Sequence, residues 1–174
     1  MFQRFELTRR DGERVEAVWH RKFSNFARSR IVLPSGLAPA TAEALYQAAK
    51  FPGDPELQRA ILLTADPKAA KQLARQHEAK LEGAWWAGKK LEVMGWVVRL
   101  KFAQNPRLAE LLLASRPAPI VEPSRFDDFW GLVIQSPEKW RGKNWLGRIL
   151  MEVRAELEGQ GSPSIPNPPV LIAE

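Results

Sequence analysis

Between Thr41 and Phe51 the sequence reads TAEALYQAAKF, and four of its side chains carry groups able to do chemistry: Glu43, Tyr46, Gln47 and Lys50. On an α-helix these fall at i, i+3, i+4 and i+7, so they project from one face within two turns, with Ala42, Leu45 and Ala49 on the other side. A carboxylate in such a row can move protons or sit beside a developing positive charge. A lysine can act as a nucleophile when burial or a nearby cation lowers its pKa, whereas a carboxylate paired with it keeps it charged. A polar helix face is also the ordinary face turned to water, and the spacing alone does not separate the two readings.

The rest of the composition narrows the chemistry. The chain of 174 residues has no cysteine, which removes thiol nucleophiles, thiolate metal sites, iron–sulfur clusters and disulfides together. Its two histidines, His20 and His77, stand far apart and lack metal-ligand spacing, so neither a bound metal nor a serine triad is expected, and nothing calls for a cofactor. Any catalyst then works with carboxylates, Lys, Tyr or Asn. The formal charge of +6 favours anionic ligands such as phosphates, although no helix gathers Lys and Arg on one face as a nucleic-acid footprint would require. The first ten residues alternate charged and apolar side chains, and no run approaches the ~18 apolar residues of a membrane span, so a cytoplasmic location is expected.

Several elements must position this row. Phe5 to Leu7 and Val15 to Trp19 flank Asp11-Gly12, the dipeptide of a type I′ hairpin turn, and predict an N-terminal β-hairpin. Thr41 can cap a helix running to about Phe51, which Pro52-Gly53 ends. Asp54-Pro55, Asp66-Pro67 and Asn105-Pro106 repeat one start signal, a capping side chain before a proline at the first helical position. Lys89 to Phe102 has helical spacing and reads as a central, buried helix. Ile120 to Glu122 and Phe129 to Ile134 look extended. Asn144 then caps a helix with the apolar stripe Leu146, Ile149, Leu150, Val153 and Leu157, stopped by Gly159. The sum is a helix-rich α+β class, a single compact domain over residues 1–158 with short strands, followed by a proline-rich, flexible tail at residues 159–174.

Six blocks of this sequence resemble, in order and spacing, the NADAR (YbiA-like) N-glycosidase family. They are Phe23-Ser24-Asn25-Phe26; Thr41 to Phe51; Lys101-Phe102 with Gln104-Asn105-Pro106; Val121-Glu122; Asp127-Asp128-Phe129-Trp130-Gly131; and Asn144-Trp145-Leu146-Gly147 with Leu150 to Arg154. Ala44 stands where the family usually has His, and Pro137 to Arg141 is longer than the usual spacing, which implies an altered rim. The resemblance implies hydrolysis of a ribose C1′–N bond, in ADP-ribosylated guanine bases or nucleic acid, or in ribosylamino-pyrimidine phosphate intermediates of riboflavin biosynthesis. Such a reaction needs either a carboxylate beside an oxocarbenium-like C1′ or an amine that traps C1′ as a Schiff base, and Glu43 and Lys50 offer both.

Other residues are candidates beside these. Asp127 is a candidate acid/base or ligand-orienting carboxylate, or else a loop Asp capping a turn; Trp130 can stack on a base and Gly131 allows close backbone approach. Asn25, beside Phe26, either binds ribose or base or forms an Asx turn. Trp86, after Trp85, is an aromatic wall or core. Arg75 and Lys101 are candidate phosphate contacts, and Asn144 is a helix cap where a phosphate could also sit. The rival from another class is a non-catalytic module that binds ADP-ribose or nucleotides.

Overall fold

The computed structural model describes residues 1–172. The chain is α+β and helix-rich, with two small sheets among the described residues. Where the sequence suggested one domain and a tail, its internal contacts are densest in two units. The first joins Met1–Ser24 to Arg107–Ser162; the second joins Asn25–Pro106 to the residues from Pro163 on.

In the first unit β1 (Gln3–Thr8) and β2 (Arg14–Trp19) pair antiparallel, from Gln3 opposite Trp19 to Thr8 opposite Arg14. The connection differs from the expected two-residue turn. Arg9 N donates to the Glu13 carbonyl at 2.8 Å and Gly12 N to the Arg9 carbonyl at 2.9 Å, and Gly12 has φ +85° while Asp11 does not enter the positive-φ region. A type I′ turn needs positive φ at both central residues, so a longer loop with a single left-handed glycine forms instead. Val18 bridges in parallel to Ile120, which extends the hairpin toward β3 (Pro123–Ser124), β4 (Leu132–Ile134) and β5 (Trp140–Arg141). β3 and β4 run parallel and β4 and β5 antiparallel. Leu7, Ala17, Val121 and Leu132 form the core beneath, with Phe5, Ile134 and Trp140 against it. The long segment Pro137 to Arg141 supplies β5 and is tied to the hairpin: Thr8 N donates to the Pro137 carbonyl at 2.7 Å and Trp140 Nε1 to the Thr8 carbonyl at 3.0 Å.

Helix α6 (Trp145–Gln160) buries the whole stripe Leu146, Ile149, Leu150, Val153 and Leu157, as its period predicts. It passes Gly159 and ends at Gly161, φ +74°, because only there does the chain turn left-handed.

The second unit holds α1 (Ala42–Ala48), α2 (Pro55–Leu62), α3 (Pro67–Gln76) and α4 (Gly83–Ala103). The proline start signals work as read: Asp54 accepts from Leu57 N, and Asp66 from Lys68 N and Ala69 N. A further helix, α5 (Pro106–Leu113), also starts at its proline; Asn105 before it donates to the Lys101 and Arg30 carbonyls. α4 begins six residues before the predicted Lys89, so Trp85 and Trp86 lie in its first turn instead of before it. α1 packs against α2, α3 and α4. The residues after Pro163 form no helix or strand as far as Ile172, yet Val170 is buried and the Leu171 carbonyl accepts from Gln58 Nε2 at 2.8 Å. Among the described residues no helix is long and apolar enough to cross a membrane.

Candidate active site

Every residue of α1 from Ala42 to Ala48 is buried. The polar face was expected to turn to solvent or to carry function, and its burial excludes the first. Thr41 Oγ1 caps the helix by accepting from Ala44 N at 3.2 Å. Ala42, Ala44, Ala48 and Ala49 are wholly covered, and their small side chains let neighbouring helices come close enough to enclose the polar row too. Glu43 is 6% exposed and Gln47 2%. Gln47 Nε2 donates to Glu43 Oε1 at 2.7 Å, the i, i+4 contact that the spacing predicts.

The helix does not reach Phe51. It ends at Ala48, and the next amides tighten to i+3 bonds, Lys50 N to the Gln47 carbonyl at 3.3 Å and Phe51 N to the Ala48 carbonyl at 3.1 Å. Lys50 therefore leaves the chain one tight turn past the helix. Its Nζ lies 5.7 Å from the Tyr46 ring centroid and 5.8 Å from that of Trp86, and those rings pack at 5.2 Å, tilted 55°. Trp86 is thus buried and also forms one wall around the amine. Burial pushes the Lys50 pKa below its ordinary value; Lys71 acts in the same direction, while Glu43 and, more weakly, Glu78 oppose it. Beside the amine opens a cavity of about 470 Å³, lined by Lys50, Phe51, Pro52, Gly53, Asp54, Lys80, Glu82 and Trp85. Lys80 and Asp54 are ion-paired at 2.6 Å on its edge. The sequence reading did not single out this rim; the turn signal Pro52-Gly53-Asp54 directly after Lys50 was the available clue.

Asn25 and Gln47 add two buried amide groups. Asn25 is 4% exposed, its carbonyl accepts from Glu43 N at 3.0 Å, and its Nδ2 donates to Met94 Sδ at 2.9 Å. Among the described residues no partner meets Asn25 Oδ1 or Gln47 Oε1. A buried acceptor left unmet costs about 1–3 kcal/mol, so two of them flanking one carboxylate mark places for donors from outside the chain. An Asx turn, the other reading of Asn25, would have used Oδ1 locally.

In the first unit the predicted residues are structural in geometry. Asp127 Oδ1 accepts from Phe129 N at 3.0 Å and Trp130 N at 2.8 Å, the turn-capping arrangement. Half-buried Trp130 packs edge-on to Phe129 at 5.0 Å. Gly131 permits a close approach of backbone: a Cβ there would lie 2.4 Å from the Glu122 carbonyl oxygen. Asn144 does not cap α6 through its side chain. It has φ +53°, its Oδ1 accepts from Glu122 N and its Nδ2 donates to the Ile120 carbonyl, both at 2.9 Å. That amide occupies the space where a Cβ on Gly147 would fall, at 2.4 Å, which explains the pairing of Asn144 with Gly147 in the sequence.

The remaining candidates are scattered. Phe26 is 36% exposed, Arg75 is exposed in the last turn of α3, and Lys101 is wholly buried in α4 with its amine 5.7 Å from the Phe102 ring centroid. Among the described residues no group of three His, Asp or Glu side chains comes together that could hold a metal ion.

The model of the NADAR domain matches residues 13–158. The chain belongs to the NADAR family. Among NADAR relatives, the N-glycosidase YbiA of Escherichia coli is 36% identical over 78% of this chain and 80% of its own length. A riboflavin biosynthesis protein of Vibrio vulnificus is 38% identical over 80% of this chain, which spans only 36% of that longer protein. The NMR structure of E. coli YbiA superposes with a TM-score of 0.68 at 36% identity, covering 79% of this chain and 77% of that one. The NADAR match includes all six sequence blocks, and the shared architecture agrees with the α+β class read from the sequence.

Proposed function

We propose that this NADAR protein is a hydrolase of N-glycosidic bonds that cleaves ribose C1′–N in a phosphorylated ribosyl substrate, with Lys50 as nucleophile and Glu43 as acid and base. The observation that carries the reading is the Lys50 amine, held against two aromatic rings, lowered in pKa by burial and opening on a cavity large enough for a sugar and a base.

In this reading the neutral Nζ attacks C1′ and the C1′–N bond breaks with its electron pair going to the leaving nitrogen, while the Glu43 carboxylate takes a proton from the now cationic Nζ and passes it to that nitrogen. Opening of the sugar ring breaks C1′–O4′, O4′ gains a proton, and Nζ becomes the nitrogen of an imine to C1′. Water adds to that imine and releases the sugar, returning the amine. Asn25 Oδ1 and Gln47 Oε1 accept from sugar hydroxyls and fix C1′ for attack.

Relatives named as N-glycosidases and as riboflavin biosynthesis proteins support a ribosyl-containing substrate; the two classes we propose are ribosylamino-pyrimidine phosphates and ADP-ribosylated guanine bases, alone or in nucleic acid. Incubating the purified protein with one member of each class and assaying free base and reducing sugar tests the reading. Release from at least one is expected; binding without release from either would contradict it and favour a non-catalytic module.

A further inference from the structure

A second cavity, of about 570 Å³, lies within the first unit and uses none of the residues given roles in the proposed chemistry. It is lined by Met1, Gln3, Trp19, His20, Arg21, Lys22, Arg107 and Leu111. Its charge is one-sided. Arg21, Lys22 and Arg107 all face it, no carboxylate does, and among the described residues none of the three cations is ion-paired. Two other cavities do contain carboxylates: Asp54 and Glu82 accompany Lys50 and Lys80 in one, and Glu158 accompanies Arg116 and Arg154 in the other. Three cations converging without a counter-charge repel one another, and an anion placed among them removes that repulsion.

His20 adds a directional donor. It is 9% exposed and held between Phe2, at 5.6 Å edge-on, and Phe23, at 5.8 Å. Its Nδ1 accepts from Lys22 N at 3.2 Å, which leaves the ring proton on Nε2. Burial, then the amino terminus, Lys22 and Arg21, hold its pKa below the ordinary value, so the ring is neutral at pH 7 and registers any negative charge brought beside it.

We propose that the cavity formed by Arg21, Lys22, Arg107 and His20 binds a small phosphate-bearing anion carrying at least two negative charges. Two guanidinium groups suit such a ligand because each can form paired bonds to phosphate oxygens, with the Lys22 ammonium as a further point charge. Trp19 and Leu111 give the cavity an apolar side where a base attached to the phosphate could rest.

The test uses the full chain, inorganic pyrophosphate and ADP as probes, calorimetry for affinity, and NMR of the His20 imidazole for location. Pyrophosphate is expected to bind with a displacement of the His20 ring signals and a rise of its pKa. Arg21→Gln and Arg107→Gln, at exposed positions, should each weaken binding about tenfold, the loss expected for a charge-assisted contact, with the melting temperature unchanged. Lys68→Gln, at an exposed position of α3 in the second unit, should bind as the parent does. Tighter binding of ADP than of pyrophosphate would assign a nucleotide, and equal binding the phosphate group alone. Absence of binding, binding that leaves His20 unmoved, or the parental affinity retained in both arginine variants would overturn the proposal. None of these readouts depends on glycosidase turnover.

Discussion

The Nζ of Lys50 lies 5.8 Å from the centroid of the Trp86 ring, so an amine that would ordinarily be hydrated is sheltered by an indole. Loss of that shelter should return water to the amine. Trp86→Leu keeps an apolar residue in α4 and is expected to move the Lys50 pKa back toward its ordinary 10.5. Because only the neutral amine attacks, the rising limb of rate against pH should shift to higher pH, and turnover at pH 7 should fall. An unmoved limb would dissociate Trp86 from the state of Lys50.

Glu43 opposes that lowering, since its negative charge favours the protonated amine. Glu43→Gln should therefore shift the limb the other way, to lower pH. As the proposed acid and base, its loss should also cut turnover at least about a hundredfold. Near-parental turnover would remove Glu43 from the mechanism; a lost rate with an unmoved limb would leave it a catalytic part without electrostatic influence on Lys50.

Asn144 and Gly147 form one interlocked pair. Asn144→Ala gives up two bonds to the 120–122 segment and puts alanine at a positive φ, which together should cost about 3 kcal/mol of stability. Gly147→Ala should cost at least as much, because its Cβ would lie 2.4 Å from both the Asn144 amide nitrogen and the Ile120 carbonyl oxygen. Urea unfolding measures both, and a loss under about 0.5 kcal/mol, the range of ordinary surface substitutions, would refute the interlock.

Truncation after Ser162 removes buried Val170 and leaves Gln58, 1% exposed, without the Leu171 carbonyl. An expected loss of about 2–4 kcal/mol combines one buried valine with one lost hydrogen bond. A melting temperature equal to that of the full chain would show that the segment contributes nothing.

What could be read from the sequence was local. The Asp54-Pro55 and Asp66-Pro67 starts and the apolar stripe of α6 depend on neighbours within a few residues, and the structure has them as read. The burial of α1 could not be read, because it depends on α2, α3 and α4 closing over Ala42, Ala44, Ala48 and Ala49 from elsewhere in the chain. The same limit hid what the Asn144 side chain does: its N-cap position is visible in sequence, but its bonds to Ile120 and Glu122 are long-range. Asp127 could be read either as an acid/base carboxylate or as a turn cap, and its Oδ1 accepts from two nearby amides, as the second reading has it. Lys50 stays beside Tyr46 although the helix that suggested their common face stops at Ala48, since the tight turn that follows keeps its amine against the ring.

The most direct measurement is mass spectrometry of the protein after turnover in the presence of borohydride. Reduction of an imine between Nζ and C1′ should leave an open-chain ribityl group on Lys50 alone, and Lys50→Arg, which keeps the charge but cannot form the imine, should be inactive and unlabelled. An adduct on Lys80 or another lysine, or an active Lys50→Arg variant with no trapped species, would contradict the account.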